Sequence, residues 1–185
     1  DLDLQNAAQA SFSAELTTLK NLKIGNGAAL VTNPSTGELL AMIGSKDYFS
    51  TDIDGKVNVT TRLRQPGSSI KPLNYALGLE TKVITPSTML LDTPICFDIA
   101  GQPDYCPKNY DNTFRGLTQI RFALGNSLNI PAVKVLALNS LEGFISFARK
   151  LGISTWNDPS LYGLSLTLGG GEVMMTDMAT AFGVF

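Results

Sequence analysis

Residues 64–72, Arg64-Gln65-Pro66-Gly67-Ser68-Ser69-Ile70-Lys71-Pro72 (RQPGSSIKP), decide how the rest of the chain is read. A Pro-Gly pair breaks the backbone. From Ser68 to about Glu80 the sequence then reads as a helix: a serine can cap its start, and Pro72 falls in the first turn, where proline is tolerated. At i and i+3, Ser68 and Lys71 share a face of that helix. A serine hydroxyl is a poor nucleophile until its proton is removed. A neutral lysine amine can remove it if its pKa falls from about 10.4 to near 7, which is about 4 kcal/mol of preference for the neutral form. Burial supplies part of that shift and a second nearby cation supplies more. Backbone N–H groups at the helix start can stabilise an oxyanion. The plainer reading of the same spacing is a capping serine and a solvated lysine, since Ser-x-x-Lys arises by chance in a chain of this length.

Composition narrows the chemistry. The 185 residues are 44% hydrophobic and 16% charged, which is globular rather than disordered, with a formal net charge of −2. No block of like charges points to nucleic acid as a partner. There is no histidine, so the commonest general base, the usual zinc ligand and a Ser-His-Asp triad are all excluded. No metal or cofactor is expected. Cys96 and Cys106, the two cysteines, lie in a Pro-rich stretch, DTPICFDIAGQPDYCPKNYD. Two readings stand there: free thiols, or a bridge that closes a short loop and stabilises by about 3 kcal/mol. No apolar run approaches the roughly 20 residues that span a bilayer, and no signal peptide opens the chain. Both ends read as cut, within a helical pattern at one end and an apolar pattern at the other.

Along the chain, Leu4, Ala8, Phe12, Leu16 and Leu19 form a helical face over residues 1–20. GAALVTN (27–33) and ELLAMIG (38–44) are strand-length runs around a Pro34–Gly37 turn, a β-hairpin. Residues 45–63 are polar loop ending in an extended VNVTT. Residues 84–116 read as a long proline-punctuated loop, the kind that is usually functional inside a compact domain. Helical patterns follow at about 118–125, 130–139 and 141–151, then a Gly-rich stretch at 166–173 and a last helix from about Thr176. A lone hairpin is marginal, so the sheet is expected to continue with strands outside this chain.

ALGNSLNIPAVKV (123–135) places Ser127 and Asn129 two apart on a turn between helices. The hydroxyl can relay a proton, and the amide can hold a substrate carbonyl or the lysine. Alone, the pair would be a helix break with a capping residue.

Taken together, RQPGSSIKP and NSLNIPAVKV resemble the transpeptidase domain of penicillin-binding proteins, serine acyltransferases that share a fold with serine β-lactamases. The likeness extends to DLDLQNAA, LVTNPSTGELLAMIGSKDYF, VNVTTRLRQPGSSIKPLNYAL and YGLSLTLGGGEV. It covers nearly the whole chain and fits least well around Cys96 and Cys106. It is most similar to the bifunctional, class A members, and within them to the 1C type. The resemblance implies an α+β fold of helices around an antiparallel sheet, incomplete here, with only the first two strands plus the helical part. Residues 1–185 would be the N-terminal part of one such domain.

The resemblance also assigns roles. Ser68 would be the acylated nucleophile and Lys71 its general base. Ser127 would pass the proton to the leaving amine, Asn129 would contact the substrate amide, and the Ser68 N–H would be one oxyanion donor. The implied substrates are peptidoglycan stem peptides ending in D-Ala-D-Ala, with β-lactams as inhibitors, on the periplasmic or extracytoplasmic face of a bacterial inner membrane. The membrane would be reached only through an N-terminal anchor missing here. The family's Lys-Thr-Gly strand is absent: the only Thr-Gly is Thr36-Gly37, so the motif is expected beyond Phe185 and activity of this chain alone is doubtful. A D,D-carboxypeptidase or β-lactamase-like hydrolase, and a non-catalytic β-lactam sensor or scaffold, are the alternatives. Glu38 and Asp47 are read as solvated ends of the hairpin and Gly169–Gly171 as a tight turn rather than a phosphate loop. Trp156 and Tyr162 are read as core or rim packing.

Overall fold

The computed structural model describes residues 1–185 except Ala100 and Gln102. The chain divides into two compact units, residues 1–64 with 151–155 and 173–185, and residues 65–150 with 156–172.

In the first unit, helix α1 (Leu2–Thr18) starts with the Asp1 side chain accepting from the Leu4 N–H, an N-cap that satisfies an otherwise orphan donor. Its buried stripe is the one the periodicity predicts: Leu16 is buried and Leu4, Ala8, Phe12 and Leu19 are half-buried. Gln5 ties the helix to the sheet, exchanging two hydrogen bonds with the backbone of Met42. The hairpin forms as expected. Strands β1 (Ala29–Thr32) and β2 (Leu39–Ile43) pair antiparallel, with Ala29 opposite Ile43 and Thr32 opposite Leu39. Gly37 closes the turn at φ +76°, its N–H donating to Asn33 O at 2.8 Å, a backbone conformation that favours glycine. The extended VNVTT is instead a short 3-10 turn, Val59–Thr61, capped by the Asn58 side chain. Helix α6 (Met175–Phe182) completes the unit, and its buried Asp177 accepts from Ser154 N–H and Oγ–H.

The second unit holds the residues singled out for chemistry. Its core runs through Tyr75, Ile84, Ile120, Ala132 and Val135. Helix α2 (Lys71–Glu80) and helix α4 (Asn129–Asn139) cross this core. Buried Asn74 joins them: its Nδ2 donates to Ala132 O and Thr167 Oγ1, both at 2.9 Å. Helix α3 (Ile120–Gly125) precedes α4, and α5 (Leu141–Lys150) follows it. Phe144, Trp156 and Tyr162 pack in a row with their rings tilted to one another and Trp156 wholly buried, so the pair Trp156 and Tyr162 packs as expected.

Residues 84–116 correct the reading as loop. Strands β3 (Met89–Asp92) and β4 (Gly116–Gln119) pair antiparallel, so the described residues contain four strands in two sheets, not the first two alone. Their pattern is mixed, which hid them: Leu90 packs on the core, but it shares the inward face with polar residues. Asp92 and Thr118 point inward and are buried, while Met89, Leu91 and Leu117 are exposed. Alternation of apolar and polar residues marks a strand only where the apolar set faces the core. Between the strands, Cys96 and Cys106 are joined in a disulfide, and Phe97 and Tyr105 pair beside it.

Candidate active site

The expected helix start at Ser68 is in fact a 3-10 turn, Gly67–Ile70, that runs into α2 at Lys71. No serine side chain caps it: the Ser69 hydroxyl donates to Pro66 O at 2.7 Å, and Ser68 stays exposed. In a 3-10 turn residues i and i+3 eclipse, so Lys71 stacks over Ser68. The lysine N–H donates to Ser68 O, closing that turn.

The turn is held from behind by the Gly-rich stretch. A 3-10 helix, Leu164–Leu168, ends at Gly169 with φ +89°. A Cβ on Gly169 would lie 2.3 Å from Gly67 N and 2.4 Å from its Cα. Only glycine permits this backbone-to-backbone approach, and it sits one residue before Ser68. The tight turn expected at Gly169–Gly171 therefore has a defined task.

Ser127 lies at the end of α3. Asn126 is the last cap residue, Ser127 N–H donates to Leu124 O, and Leu128 N–H donates to Ala123 O. This is a Schellman ending, whose left-handed position usually holds glycine. Ser127 occupies it at φ +54°. A residue with a Cβ is strained there by about 1 kcal/mol, and such strain gathers at functional sites. Two residues on, Asn129 opens α4.

These elements converge on Lys71. Its side chain is 1% exposed. Nζ donates to Asn129 Oδ1 at 2.6 Å, to Ser127 O at 2.6 Å and to Ser127 Oγ at 3.1 Å. Burial pulls its pKa down from the ordinary lysine value to about 8, because the interior solvates the ammonium poorly. Three acceptors match the three N–H bonds of an ammonium. Of the three, only the Ser127 hydroxyl can reverse and donate, so a neutral Lys71 would take its hydrogen bond from Ser127 or from an incoming hydroxyl. No hydrogen bond joins Lys71 Nζ to Ser68 Oγ among the described residues. The Lys71, Ser127 and Asn129 side chains are thus brought together, and Ser68 joins them only through its backbone, its carbonyl accepting the Lys71 backbone N–H.

Asn129 is also tied to the segment before α3. Its Nδ2 donates to Lys108 O at 2.7 Å, and its N–H donates to Asn109 Oδ1 at 2.7 Å. Asn109 in turn donates from Nδ2 to both carboxylate oxygens of Asp92, each at 2.9 Å. Asp92 and Asn109 were not singled out by sequence reasoning. The one signal was the length of the loop they frame. Glu38 and Asp47 are exposed, and each bonds locally, to Thr36 and to the Phe49 N–H.

Comparison with known proteins identifies the family. Residues 27–172 match the family described as "Penicillin binding protein transpeptidase domain". Penicillin-binding protein 1A of Rickettsia bellii is 34% identical over 90% of the chain, and penicillin-binding protein 1C of Escherichia coli is 33% identical over 85%. The chain spans about a fifth of the length of each. The two types match nearly equally and the 1A name recurs among the relatives, so the expected leaning to the 1C type has only weak support. The crystal structure of penicillin-binding protein 1A from Haemophilus influenzae superposes with a TM-score of 0.76 at 32% identity, covering 86% of this chain and 23% of that one. The PonA1 protein of Mycobacterium tuberculosis, solved in complex with penicillin V, shares the fold at TM-score 0.72 and 21% identity, over 95% of this chain and 48% of that one. With the family matched across most of its length, and the lysine, serine and asparagine of its two motifs meeting in one cluster, this chain belongs to the penicillin-binding protein transpeptidase domain family.

Proposed function

We propose that this chain is part of a peptidoglycan D,D-transpeptidase, acylated on Ser68 by stem peptides ending in D-Ala-D-Ala and by β-lactams. The observation that carries the reading is the buried Lys71 amine, lowered to about 8 and held by Ser127 and Asn129 one turn from Ser68. A lysine in that state is neutral in a useful fraction of molecules near pH 7 and can act as a base.

In the proposed reaction, neutral Lys71 accepts the Ser68 Oγ proton as Oγ bonds to the carbonyl carbon of the penultimate D-Ala. The oxyanion is stabilised by the Ser68 N–H, which lies in the first turn of a helical segment, where N–H groups lack intrahelical partners. Lys71 returns the proton through the Ser127 hydroxyl to the nitrogen of the terminal D-Ala. The C–N bond breaks and that D-Ala leaves. An amine from a neighbouring stem then attacks the Ser68 ester, its proton passes through Ser127 and Lys71 to Ser68 Oγ, and the acyl C–O bond breaks. With a β-lactam, the ring nitrogen stays tethered to the acyl group. Asn129 can meet the substrate amide with the second N–H of its Nδ2, since Lys108 O takes only one of the two. The Ser68 hydroxyl is not bonded to Lys71 Nζ beforehand, and catalytic hydrogen bonds are often long in unliganded enzymes and tighten in the complex.

The relatives are about five times as long as this chain, and we place its activity within a longer protein that adds the Lys-Thr-Gly strand and a membrane anchor. The Cys96–Cys106 bridge favours an oxidising compartment such as the periplasm. The test is intact mass after incubation of the full-length protein with benzylpenicillin. A stable adduct is expected on wild type and absent in Ser68→Ala. A folded wild type that gains no mass, or an adduct that survives in Ser68→Ala, refutes the proposal.

A further inference from the structure

Asp92 ends strand β3 with its carboxylate turned inward and fully buried, a position where an acid is costly unless its oxygens are bonded. They are bonded by donors only: Asn109 Nδ2 reaches both oxygens, and the Arg115 N–H donates to Oδ2, all at 2.9 Å. An acceptor-only carboxylate dictates the sense of the Asn109 amide. Its NH2 must face Asp92 and Thr113 O, and its oxygen must face the other way. That oxygen accepts the Asn129 N–H at 2.7 Å. This N–H is the first of α4, and Leu128 before it offers no side-chain cap. Asn109 therefore caps α4 from 20 residues upstream. The residue it anchors is the one whose Oδ1 holds Lys71 Nζ.

We infer that Asp92 and Asn109 are positioning residues for acylation: the buried carboxylate orients the Asn109 amide, the amide fixes the start of α4, and Asn129 thereby holds Lys71 in register with Ser127. Neither residue bonds to Lys71 or Ser68. The inference rests on the transpeptidase reading above. It goes beyond that reading by assigning a task to the segment between β3 and α3, outside both motifs.

Asp92→Asn is nearly isosteric, and two residues, Asn109 and Asn129, stand between it and Lys71. Its new NH2 would face donors, so the Asn109 amide turns over and presents NH2 to the Asn129 N–H, and the cap is lost. The experiment follows labelling of the full-length protein by a fluorescent penicillin, reading the acylation rate constant and the final stoichiometry separately. D92N and N109A are expected to lower the rate constant by about 10- to 100-fold, the scale of a small misplacement of a reacting group. Labelling still runs to completion. The double variant D92N/N109D restores an acceptor opposite Asn129 and a donor opposite it on β3, and is expected to acylate faster than either D92N or N109D. A rate constant equal to wild type in D92N overturns the inference, as does a loss that appears only as a smaller labelled fraction, the mark of a merely structural strut. Wild-type protein that takes up no penicillin overturns the transpeptidase reading and this inference with it. Labelled wild type with an unchanged D92N overturns this inference alone.

Discussion

If Lys71 is the base that activates Ser68, acylation must follow the titration of its buried amine. Burial lowers its pKa from 10.5 to about 8. At pH 7 about a tenth of the molecules then carry a neutral amine, against about 0.03% for an unperturbed lysine, a gain of about 300-fold in competent enzyme. The perturbation is pH itself. The acylation rate constant should rise about tenfold from pH 6 to pH 7 and about fivefold from pH 7 to pH 8, then level off above about pH 9. The assay is a time course of fluorescent penicillin labelling in the full-length protein, with unfolding monitored at each pH so that only folded protein is counted. A rate constant that is flat from pH 6 to pH 9 would refute Lys71 as the titrating base. One still climbing tenfold per unit at pH 10 would refute the lowering of its pKa by burial.

The same lysine links stability to pH. Its folded pKa lies below its unfolded one, so between about pH 8 and 10.5 the unfolded chain binds more protons and stability rises with pH. The rise amounts to about 2–3 kcal/mol, and denaturant unfolding should show it in wild type and not in Lys71→Met. Ser127→Gly removes the hydroxyl but relieves a left-handed backbone position. Thermal unfolding should show no loss, or a gain of up to about 1 kcal/mol, while penicillin acylation falls steeply. Gly169→Ala would drive a Cβ into the Gly67 backbone. It should cost about 2–4 kcal/mol by chemical denaturation, and in whatever folds, Ser68 should react more slowly.

Local patterns in the sequence were enough for much of this protein. The stripe Leu4, Ala8, Phe12, Leu16 and Leu19 marked α1, and the Pro34–Gly37 turn marked the first hairpin, because helix periodicity and turn chemistry depend on near neighbours. The spacing of Ser68 and Lys71, and of Ser127 and Asn129, was likewise legible. Tertiary structure alone decided the rest. Lys71 meets Ser127 and Asn129 across 56 and 58 residues, and nothing in either motif states that distance or the burial that lowers the lysine. Strands β3 and β4 pair across the disulfide-bonded segment with Asp92 and Thr118 inward and Met89, Leu91 and Leu117 outward, so no hydrophobic alternation announces them. Asp92 is tolerated in the core because Asn109 and Arg115 satisfy it there. A carboxylate's partners are set by the packed chain, whereas a helix's face is set by the order of its own residues.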